Sequence, residues 1–223
     1  NISYAVQKSP DGLAQAFLIA EDFLDNSPSV LILGDNLYHG NDLGPQLVKA
    51  NNDYDSSTIF VYPVSDPERY GVAEFKDNKV INLYEKPKKP KSRYAVTGLY
   101  FYDNTVVQKA KTIKPSERGE LEITSLNNLY LEENNLKVEV MGRGVAWLDT
   151  GTFDSLHQAG TYIRVLESRQ GLKVGCPEEV AWRKGWINDN TLKKLSNQMI
   201  KSGYGKYLLE IINDPLKSQY KDI

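Results

Sequence analysis

The chain has 223 residues, of which 40% are hydrophobic and 25% charged, and its formal net charge is −2 at pH 7. This balance is ordinary for a globular protein, and it excludes the general basic surface that nucleic acid or an anionic membrane requires. One cysteine excludes an internal disulfide, and with two histidines it cannot form a typical structural zinc site. Any bound metal should therefore be a hard ion on oxygen ligands. No apolar run approaches the roughly 18 residues of a membrane span, so we expect a cytoplasmic protein.

The start of the chain predicts a β-α-β unit. An alternating stretch at residues 2–6 favours a short strand that ends at Gln7. The Ser-Pro-Asp-Gly sequence that begins at Ser9 supplies an N-cap and a first-turn proline, so a helix should follow to residue 24. A continuous apolar run then ends abruptly at Asp35. This pattern is typical of a buried parallel strand that delivers a carboxylate to its carboxyl end.

Strands and helices alternate through the rest of the chain. We predict a helix at 44–54, a strand at 57–64, an antiparallel hairpin over 71–87, a strand at 94–102, helices at 104–111 and 121–133, strands at 136–141 and 145–149, and a long helix from Thr152 to Arg169 closed by Gly171. From residue 177 the pattern is helical, with breaks near Gly185 and Gly203, and the residues after Pro215 should be loose. The order of elements predicts an α/β fold with a Rossmann-like mixed, mainly parallel sheet and flanking helices. The predicted domains are an α/β core at 1–175 and a helical segment at 176–223.

Two aspartates are the strongest candidates for chemistry, because Asp35 and Asp149 each end an apolar run. If both strands belong to one sheet, the two carboxylates can meet over its carboxyl edge. Two carboxylates with open positions suit Mg²⁺ that bridges substrate phosphates. Taken alone, either aspartate is more often a helix cap or a turn former.

Five further positions have weaker signals. Glu85 and Lys86 end the predicted hairpin; the first can accept hydrogen bonds from sugar hydroxyls and the second can contact a phosphate, although a solvated strand end is the simpler interpretation. Gly71 allows close approach of a ligand to the backbone. Gln7 offers a donor and an acceptor to a pyrimidine edge, and Gly12 leaves room for a flat base.

Seven segments together carry a resemblance that no single residue carries. They are Gln7–Phe17, Leu33–Asn36, Asp66–Val72, Glu85–Pro87, Tyr94–Tyr100, Arg118–Thr124 and Trp147–Gly151. In this order and spacing the chain resembles the sugar nucleotidyltransferases, and most closely the members that transfer a thymidylyl group to glucose 1-phosphate. The resemblance covers nearly the whole chain. It implies that an oxygen of glucose 1-phosphate attacks the α-phosphorus of dTTP in line and releases diphosphate.

The resemblance also implies residue roles and an assembly. Gln7 and Gly12 would hold thymine, and Asp35 and Asp149 would hold Mg²⁺. The sugar-phosphate site would be lined by Asn36, Tyr70, Gly71, Glu85, Lys86 and Val96. Lys86 would neutralise phosphate charge, so with the two aspartates it forms the expected catalytic set. The implied fold is of the GT-A type, and the implied assembly is a homotetramer.

One motif of the resembling enzymes does not occur in this sequence. Those enzymes open with a strand and a glycine-rich loop of the form G-G-x-G-T-R-L, which is followed by an essential lysine, and residues 1–223 contain neither. We therefore expect the chain to be incomplete at its N terminus and to have little or no transferase activity by itself. The alternatives are a uridylyl or cytidylyl transferase of the same family, and a non-catalytic remnant or regulatory partner of a full-length enzyme.

Overall fold

The computed structural model describes residues 2–53 and 55–215, which fall into two compact units. The first unit ends at Asp149 and combines a mixed sheet with helices, whereas the second begins at Thr150 and is helical. The predicted α/β class with flanking helices is therefore confirmed. The predicted domain boundary at 175/176 stays a prediction. Within residues 2–53 and 55–215, no helix has the length and apolar character needed to cross a membrane.

The first unit contains both sheets of the chain's described part. In chain order its elements are α1 (Gln15–Ile19), α2 (Glu21–Leu24), β1 (Ser29–Ile32), β2 (Asn36–His39), α3 (Leu43–Asn51), β3 (Ser57–Pro63), a 3₁₀ turn (Pro67–Arg69), β4 (Gly71–Lys76), β5 (Lys79–Glu85), β6 (Tyr94–Tyr102), α4 (Val106–Ala110), α5 (Ile123–Glu132), β7 (Leu136–Val140) and β8 (Ala146–Asp149). The predicted hairpin, the predicted strand at 94–102 and the predicted helix near 121–133 are thus confirmed.

The main sheet has the strand order β5-β4-β6-β3-β7, and β1 pairs with the last part of β6. Strands β3 and β7 run parallel. The other pairings described are antiparallel, because β6 runs opposite to β1, β3 and β4 and a tight turn joins β4 to β5. The expectation of a mainly parallel sheet is therefore wrong, although the sheet is mixed as predicted.

The predicted β-α-β unit at the start of the chain is not formed. Residues 2–7 take part in none of the strand pairings, and the side chains of Ile2, Tyr4 and Val6 are 82–91% exposed. An extended segment without a neighbouring strand lacks the ladder of hydrogen bonds that defines a strand. The apolar run before Asp35 also differs from its prediction, since β1 pairs antiparallel with β6 and alternate β1 residues are exposed.

The first helix begins at Gln15 rather than at the predicted Pro10. Gly12 lies between the two, and its φ of +104° is incompatible with a helix. Backbone hydrogen bonds join this turn to Leu121, from the Leu121 N–H to the Asp11 carbonyl at 2.7 Å and from the Ala14 N–H to the Leu121 carbonyl at 3.1 Å. The turn is therefore attached to the loop before α5, and the helix can start only after it.

Strands β2 and β8 form a separate two-stranded antiparallel ribbon, and β2 was not predicted. Its register places Asn36 opposite Asp149 and Tyr38 opposite Trp147. The ribbon passes close to β6 at Gly98, where a Cβ atom would lie 2.7 Å from the Asn36 Oδ1. The glycine therefore permits the close approach of ribbon and sheet.

Side chains on both faces of the main sheet are buried against other elements, because successive residues of a strand point to opposite faces. On one face, Ile59 and Val61 of β3 pack in a cluster with α1, α4 and α5. On the other face, Phe60 packs in a cluster with α3 and with the segment that leads into β8. The candidate functional site lies in this first unit.

The second unit consists of α6 (Phe153–Gln170), α7 (Pro177–Arg183), α8 (Asp189–Gln198) and α9 (Gly203–Asn213). Thr152 caps α6 and Gly171 ends it with a φ of +69°, both as predicted. Gly203 was predicted only to interrupt the helical pattern, but it is the first residue of α9. Ser202 is the N-cap of this helix, and its side chain accepts a hydrogen bond from the Gly205 N–H. The prediction for the residues after Pro215 lies outside the described residues.

Candidate active site

The predicted base-binding residues Gln7 and Gly12 lie together. The Gln7 side-chain amide donates to the Gly12 carbonyl at 3.1 Å and to the Gln15 Oε1 at 2.6 Å. Gln15 in turn donates to the Asp11 carboxylate at 3.0 Å. These hydrogen bonds orient the exposed Gln7 amide beside the turn at Gly12. Its N–H groups donate to other residues of the protein, and its Oε1 accepts in neither bond.

Three residues of the predicted sugar-phosphate site also lie together, at the β4–β5–β6 end of the sheet. Gly71 is the register partner of Glu85. A Cβ atom on Gly71 would be 3.2 Å from the Thr124 Oγ1, 3.6 Å from the Glu85 Oε2 and 3.7 Å from the Val96 Cβ. The missing side chain of Gly71 therefore leaves a small concavity between a carboxylate, a hydroxyl and an apolar wall. Thr124 was not predicted as a site residue, because its position on α5 also fits the buried face of that helix.

Glu85 is held in a defined orientation at this concavity. Its Oε2 accepts a hydrogen bond from the Thr124 hydroxyl at 2.5 Å, and the Arg118 guanidinium is 3.5 Å from its Oε1. Burial raises the pKa of Glu85, and the Thr124 hydrogen bond offsets this only in part. A half-buried carboxylate with free acceptor capacity is suited to receive hydrogen bonds from hydroxyl groups of a sugar.

Lys86 follows Glu85 in an unusual backbone conformation. Its φ is +39°, in the left-handed region that residues other than glycine seldom adopt, and its N–H donates to the Tyr70 carbonyl at 3.1 Å. Such strain is found most often at functional sites, where surrounding contacts maintain it. The bond to Tyr70 ties Lys86 to the connection that leads from the 3₁₀ turn into β4, and its side chain is exposed.

The two predicted aspartates are carried by one end of the β2–β8 ribbon. Asp35 precedes β2, and Asp149 ends β8 opposite Asn36. Asn36 donates from its Nδ2 to the Asp35 Oδ1 at 2.8 Å, and its own Oδ1 accepts from the Trp147 Nε1 at 2.6 Å and from the Gly98 N–H at 3.3 Å. Asn36 therefore orients Asp35 and joins the ribbon to β6. The prediction assumed that both carboxylates follow parallel strands, and this is wrong. Asp35 follows β1, which pairs antiparallel with β6, and Asp149 ends β8, which pairs antiparallel with β2.

Asp149 has two side-chain partners from the connection between β3 and β4. The Tyr70 hydroxyl donates to its Oδ1 at 2.6 Å, and the Arg69 guanidinium donates to its Oδ2 at 2.9 Å. Burial, together with this bond to Asp149, raises the pKa of Tyr70, so the phenol remains a donor. Tyr70 also packs on Trp147 with ring centroids 5.1 Å apart. Arg69 was missed as a site residue, because its partner is 80 positions away and only the fold brings them together.

The Asp35 and Asp149 carboxylates are oxygen donors of the type that a magnesium ion takes. Within the described parts of the chain, no three histidine, cysteine, aspartate or glutamate side chains gather as a metal cluster. Mg²⁺ commonly binds through one or two carboxylates, with waters and phosphate oxygens in the remaining positions. Asp35 and Asp149 at one ribbon end match this donor set, and neither Cys176 nor the histidines are needed.

Short segments of chain connect three places: the turn at Gln7–Gly12, the concavity at Gly71, and the end of the β2–β8 ribbon that carries Asp35 and Asp149. Tyr70, which binds Asp149, is followed directly by Gly71. The loop that leads to Thr124 carries Leu121, which binds the Gly12 turn through the backbone of Asp11 and Ala14. These features are therefore linked through the chain and its hydrogen bonds within the first unit.

Comparison with known proteins gives consistent results. A family model described as nucleotidyl transferase matches residues 1–164. A curated glucose-1-phosphate thymidylyltransferase from Neisseria meningitidis is 51% identical over 213 residues, which are 95% of this chain and 74% of the relative. One from Xanthomonas campestris is 56% identical over 209 residues, which are 93% of this chain and 71% of the relative. The chain thus spans about three quarters of the length of these relatives.

Solved structures share the fold. A Bacillus anthracis protein crystallised with a sucrose is 44% identical, with a TM-score of 0.66 over 73% of this chain and 65% of that one. A UDP-glucose pyrophosphorylase complexed with UDP-glucose is 23% identical, with a TM-score of 0.62 over 73% of this chain and 66% of that one. The second likeness concerns the fold alone.

Proposed function

The chain belongs to the nucleotidyl transferase family, and from this premise we propose that it transfers the thymidylyl group of dTTP to glucose 1-phosphate. A phosphate oxygen of glucose 1-phosphate forms a bond to the α-phosphorus of dTTP, the bond from that phosphorus to the bridging oxygen breaks, and diphosphate leaves with dTDP-glucose as the other product. The names of the similar curated proteins support these substrates. The observation that carries the proposal is the connection of Asp149 through Tyr70 to the concavity at Gly71.

The sugar would occupy the concavity at Gly71. Glu85 offers acceptor oxygens to its hydroxyl groups, and Thr124 holds that carboxylate in place. Val96 supplies an apolar wall 3.7 Å from the position of a Gly71 Cβ. A carboxylate fixed by neighbours on one side recognises hydroxyl positions better than a freely rotating one, because little side-chain entropy is lost on binding.

The phosphates would lie between the sugar and the ribbon end. When bound, Mg²⁺ would neutralise phosphate charge at Asp35 and Asp149 and so favour attack on phosphorus. Asn36 keeps the Asp35 carboxylate oriented, and Tyr70 does the same for Asp149. Lys86, whose backbone conformation is fixed by Tyr70, adds a positive charge, so it would contact a phosphate. The residues of the chain would thus contribute by orienting the two carboxylates and by placing the positive charge of Lys86 near the phosphates.

The base would bind at the Gln7–Gly12 turn. The N–H groups of the Gln7 amide already donate to Gly12 and Gln15, so its Oε1 would accept a hydrogen bond from the pyrimidine edge. A Cβ on Gly12 would lie 2.4 Å from the Leu121 carbonyl oxygen, so the missing side chain makes room for the Leu121 backbone and not for a base. Thymine differs from uracil by one methyl group, which a binding pocket distinguishes by about 1–3 kcal/mol. We therefore expect dTTP to be preferred and UTP to be used more slowly.

A transferase assay tests the proposal. The protein used is a fusion that places the family's glycine-rich N-terminal segment before residues 1–223, and the product is followed by chromatography and by release of diphosphate. We expect dTDP-glucose from dTTP, less product from UTP and little from CTP. Faster turnover with UTP or CTP would make the chain a uridylyl or cytidylyl transferase instead. The same assay on residues 1–223 alone tests the expectation of little turnover by this chain.

The proposed assembly and location are separate questions. The family resemblance supports a homo-oligomer, and a tetramer in particular, which light scattering after gel filtration measures directly. A cytoplasmic location fits the substrates, since nucleoside triphosphates and sugar phosphates are made and used there. Fluorescence of a tagged chain in cells tests this.

A further inference from the structure

Arg69 forms an ion pair with Asp149, the carboxylate that is a proposed metal ligand. Its guanidinium is 2.9 Å from the Asp149 Oδ2 through one nitrogen and 2.9 Å from the Asp66 Oδ2 through the other. It also lies over the Tyr70 ring, 5.1 Å from the ring centroid. Arg69 thus pairs with two carboxylates, those of Asp66 and Asp149, and Asp149 is the proposed ligand of a divalent cation.

A guanidinium and a magnesium ion compete for one carboxylate oxygen. Both are cations, and a ligand oxygen of Mg²⁺ lies only about 2.0–2.1 Å from the ion, so a guanidinium on the same oxygen would lie close to a like charge and be repelled. The Asp149 Oδ1 is bound by the uncharged Tyr70 hydroxyl, whose hydrogen bond does not compete in this way. The conflict therefore concerns Arg69 and not Tyr70.

We propose that Arg69 is a displaceable counter-cation of Asp149, which holds the metal-binding oxygen in the absence of metal and moves off it when a divalent cation binds. This inference rests on the proposed metal role of Asp149. Asp66 retains the released guanidinium at the edge of the site, so the positive charge stays near the substrate phosphates. Arg69 is on this account a positioning residue, because it acts through Asp149.

The exposure of the pair makes the exchange feasible. The Arg69 side chain is 38% exposed and lies on a three-residue 3₁₀ turn, whereas the Asp149 side chain is 17% exposed. Ion pairs with one partly exposed partner contribute little net stability, so a divalent cation that contacts two carboxylates can replace the guanidinium. The turn can move without disturbing the core, since its residues are not buried.

The test is the binding of Mn²⁺, used as a spectroscopic substitute for Mg²⁺, to residues 1–223 and to an Arg69→Ala variant. Free Mn²⁺ is measured by electron paramagnetic resonance without nucleotide or sugar. We expect Arg69→Ala to bind Mn²⁺ roughly five-fold more tightly, because the competing partly exposed ion pair is gone. Arg93→Ala, which removes the same charge from an exposed position in another loop, should bind Mn²⁺ like the wild type. Circular dichroism checks that all variants are folded.

A second measurement follows Arg69 itself. Phenylglyoxal modifies accessible guanidinium groups, and mass spectrometry of the peptide that contains Arg69 gives its rate of modification. We expect saturating Mn²⁺ to raise this rate several-fold in the wild type. In Asp149→Asn the rate should be high with and without Mn²⁺, because the ion pair is already lost.

The outcomes separate this inference from the proposed function. Equal Mn²⁺ affinity in wild type and Arg69→Ala, or an unchanged modification rate on Mn²⁺ binding, overturns the displacement of Arg69 and leaves the metal site intact. If Asp149→Asn binds Mn²⁺ as well as the wild type does, Asp149 is not a metal ligand. The metal part of the proposed function then fails together with the inference.

Discussion

Asp149 illustrates how contacts between distant residues position a single carboxylate. The sequence identified it as a candidate because an apolar run ends there, and the structure places it at one end of the ribbon together with Asp35. Its partners Arg69 and Tyr70 are 80 and 79 positions away, so no local pattern could have indicated them. Candidate residues could thus be proposed from their types and sequence neighbours, whereas the contacts that orient them could not.

Asp149→Asn should remove most Mg²⁺-dependent turnover in the fusion described above. The amide keeps the size of the side chain but loses the charge that the metal requires, and we expect a loss of about a hundred-fold or more. The measurement is the rate of dTDP-glucose formation at saturating Mg²⁺. Asp77→Asn, which lies in the β4–β5 turn, is the matched control and should retain full turnover. Unchanged turnover of Asp149→Asn would remove this residue from the metal site.

Glu85 should make the stability of the chain depend on pH. Because burial raises its pKa, the folded chain holds this proton more tightly than the unfolded chain does. The stabilising contribution of Glu85 is therefore present at low pH and lost as the pH rises through the raised pKa of the folded state. In Glu85→Gln this loss is absent, so the variant should gain stability relative to the wild type as the pH rises.

Urea unfolding of wild type and Glu85→Gln between about pH 4 and pH 7 measures this difference. We expect the free energy of unfolding of the variant minus that of the wild type to increase with pH. A difference that is constant or decreases with pH would mean that contacts with Thr124 and Arg118 outweigh the cost of burial.

At the level of elements, the turn around Gly12 shows why the first helix begins late. The proline and the N-cap signal at Ser9 predict an earlier start, but the turn is attached to Leu121 through backbone hydrogen bonds. That attachment is a tertiary contact, and it overrides the local preference. The alternating stretch at residues 2–6 has the residue pattern of a strand, but a strand also needs a neighbour, and its pattern cannot supply one.

Gly12→Ala should destabilise the first unit by about 2 kcal/mol or more, because the Cβ would overlap the Leu121 backbone and the residue has a positive φ. Chemical denaturation followed by circular dichroism measures the loss. Gly34→Ala is a suitable control, since a Cβ there has no neighbour within 4 Å and its φ is not in the left-handed region. Equal stability of the two variants would contradict the close contact at Gly12.

The N-cap of α6 offers a test in the second unit. The Thr152 hydroxyl accepts a hydrogen bond from the Ser155 N–H at 3.1 Å, and Ser155 reciprocates as a capping box. Thr152→Ala should therefore lower the free energy of unfolding by about 1 kcal/mol. Thr161→Ala, on the exposed middle of the same helix, should leave stability unchanged or slightly higher. A loss in Thr161→Ala as large as that in Thr152→Ala would argue against a specific cap.

At the level of the whole molecule, strongly patterned elements were predictable and the arrangement of strands was not. The hairpin over β4 and β5, the long strand β6 and the capped helix α6 carry signals within their own residues. Whether β1 pairs parallel or antiparallel depends on β6, which begins 62 positions after β1 ends. The four-residue strand β2 is too short to show a period, yet it determines where both aspartates lie. The candidate site residues could thus be proposed from the sequence, whereas their positions depend on two strand pairings that the sequence does not encode locally.

Binding of Mn²⁺ to residues 1–223 and to the single variants Asp35→Asn and Asp149→Asn tests the central claim most directly, namely that the ribbon end is a metal site built from both carboxylates. Loss of a partner that only orients a ligand typically lowers metal affinity by about 10–100-fold, so loss of a ligand itself should lower it at least ten-fold. We predict such a loss in each variant, while Asp77→Asn binds like the wild type. Wild-type affinity in either Asp35→Asn or Asp149→Asn would contradict the claim.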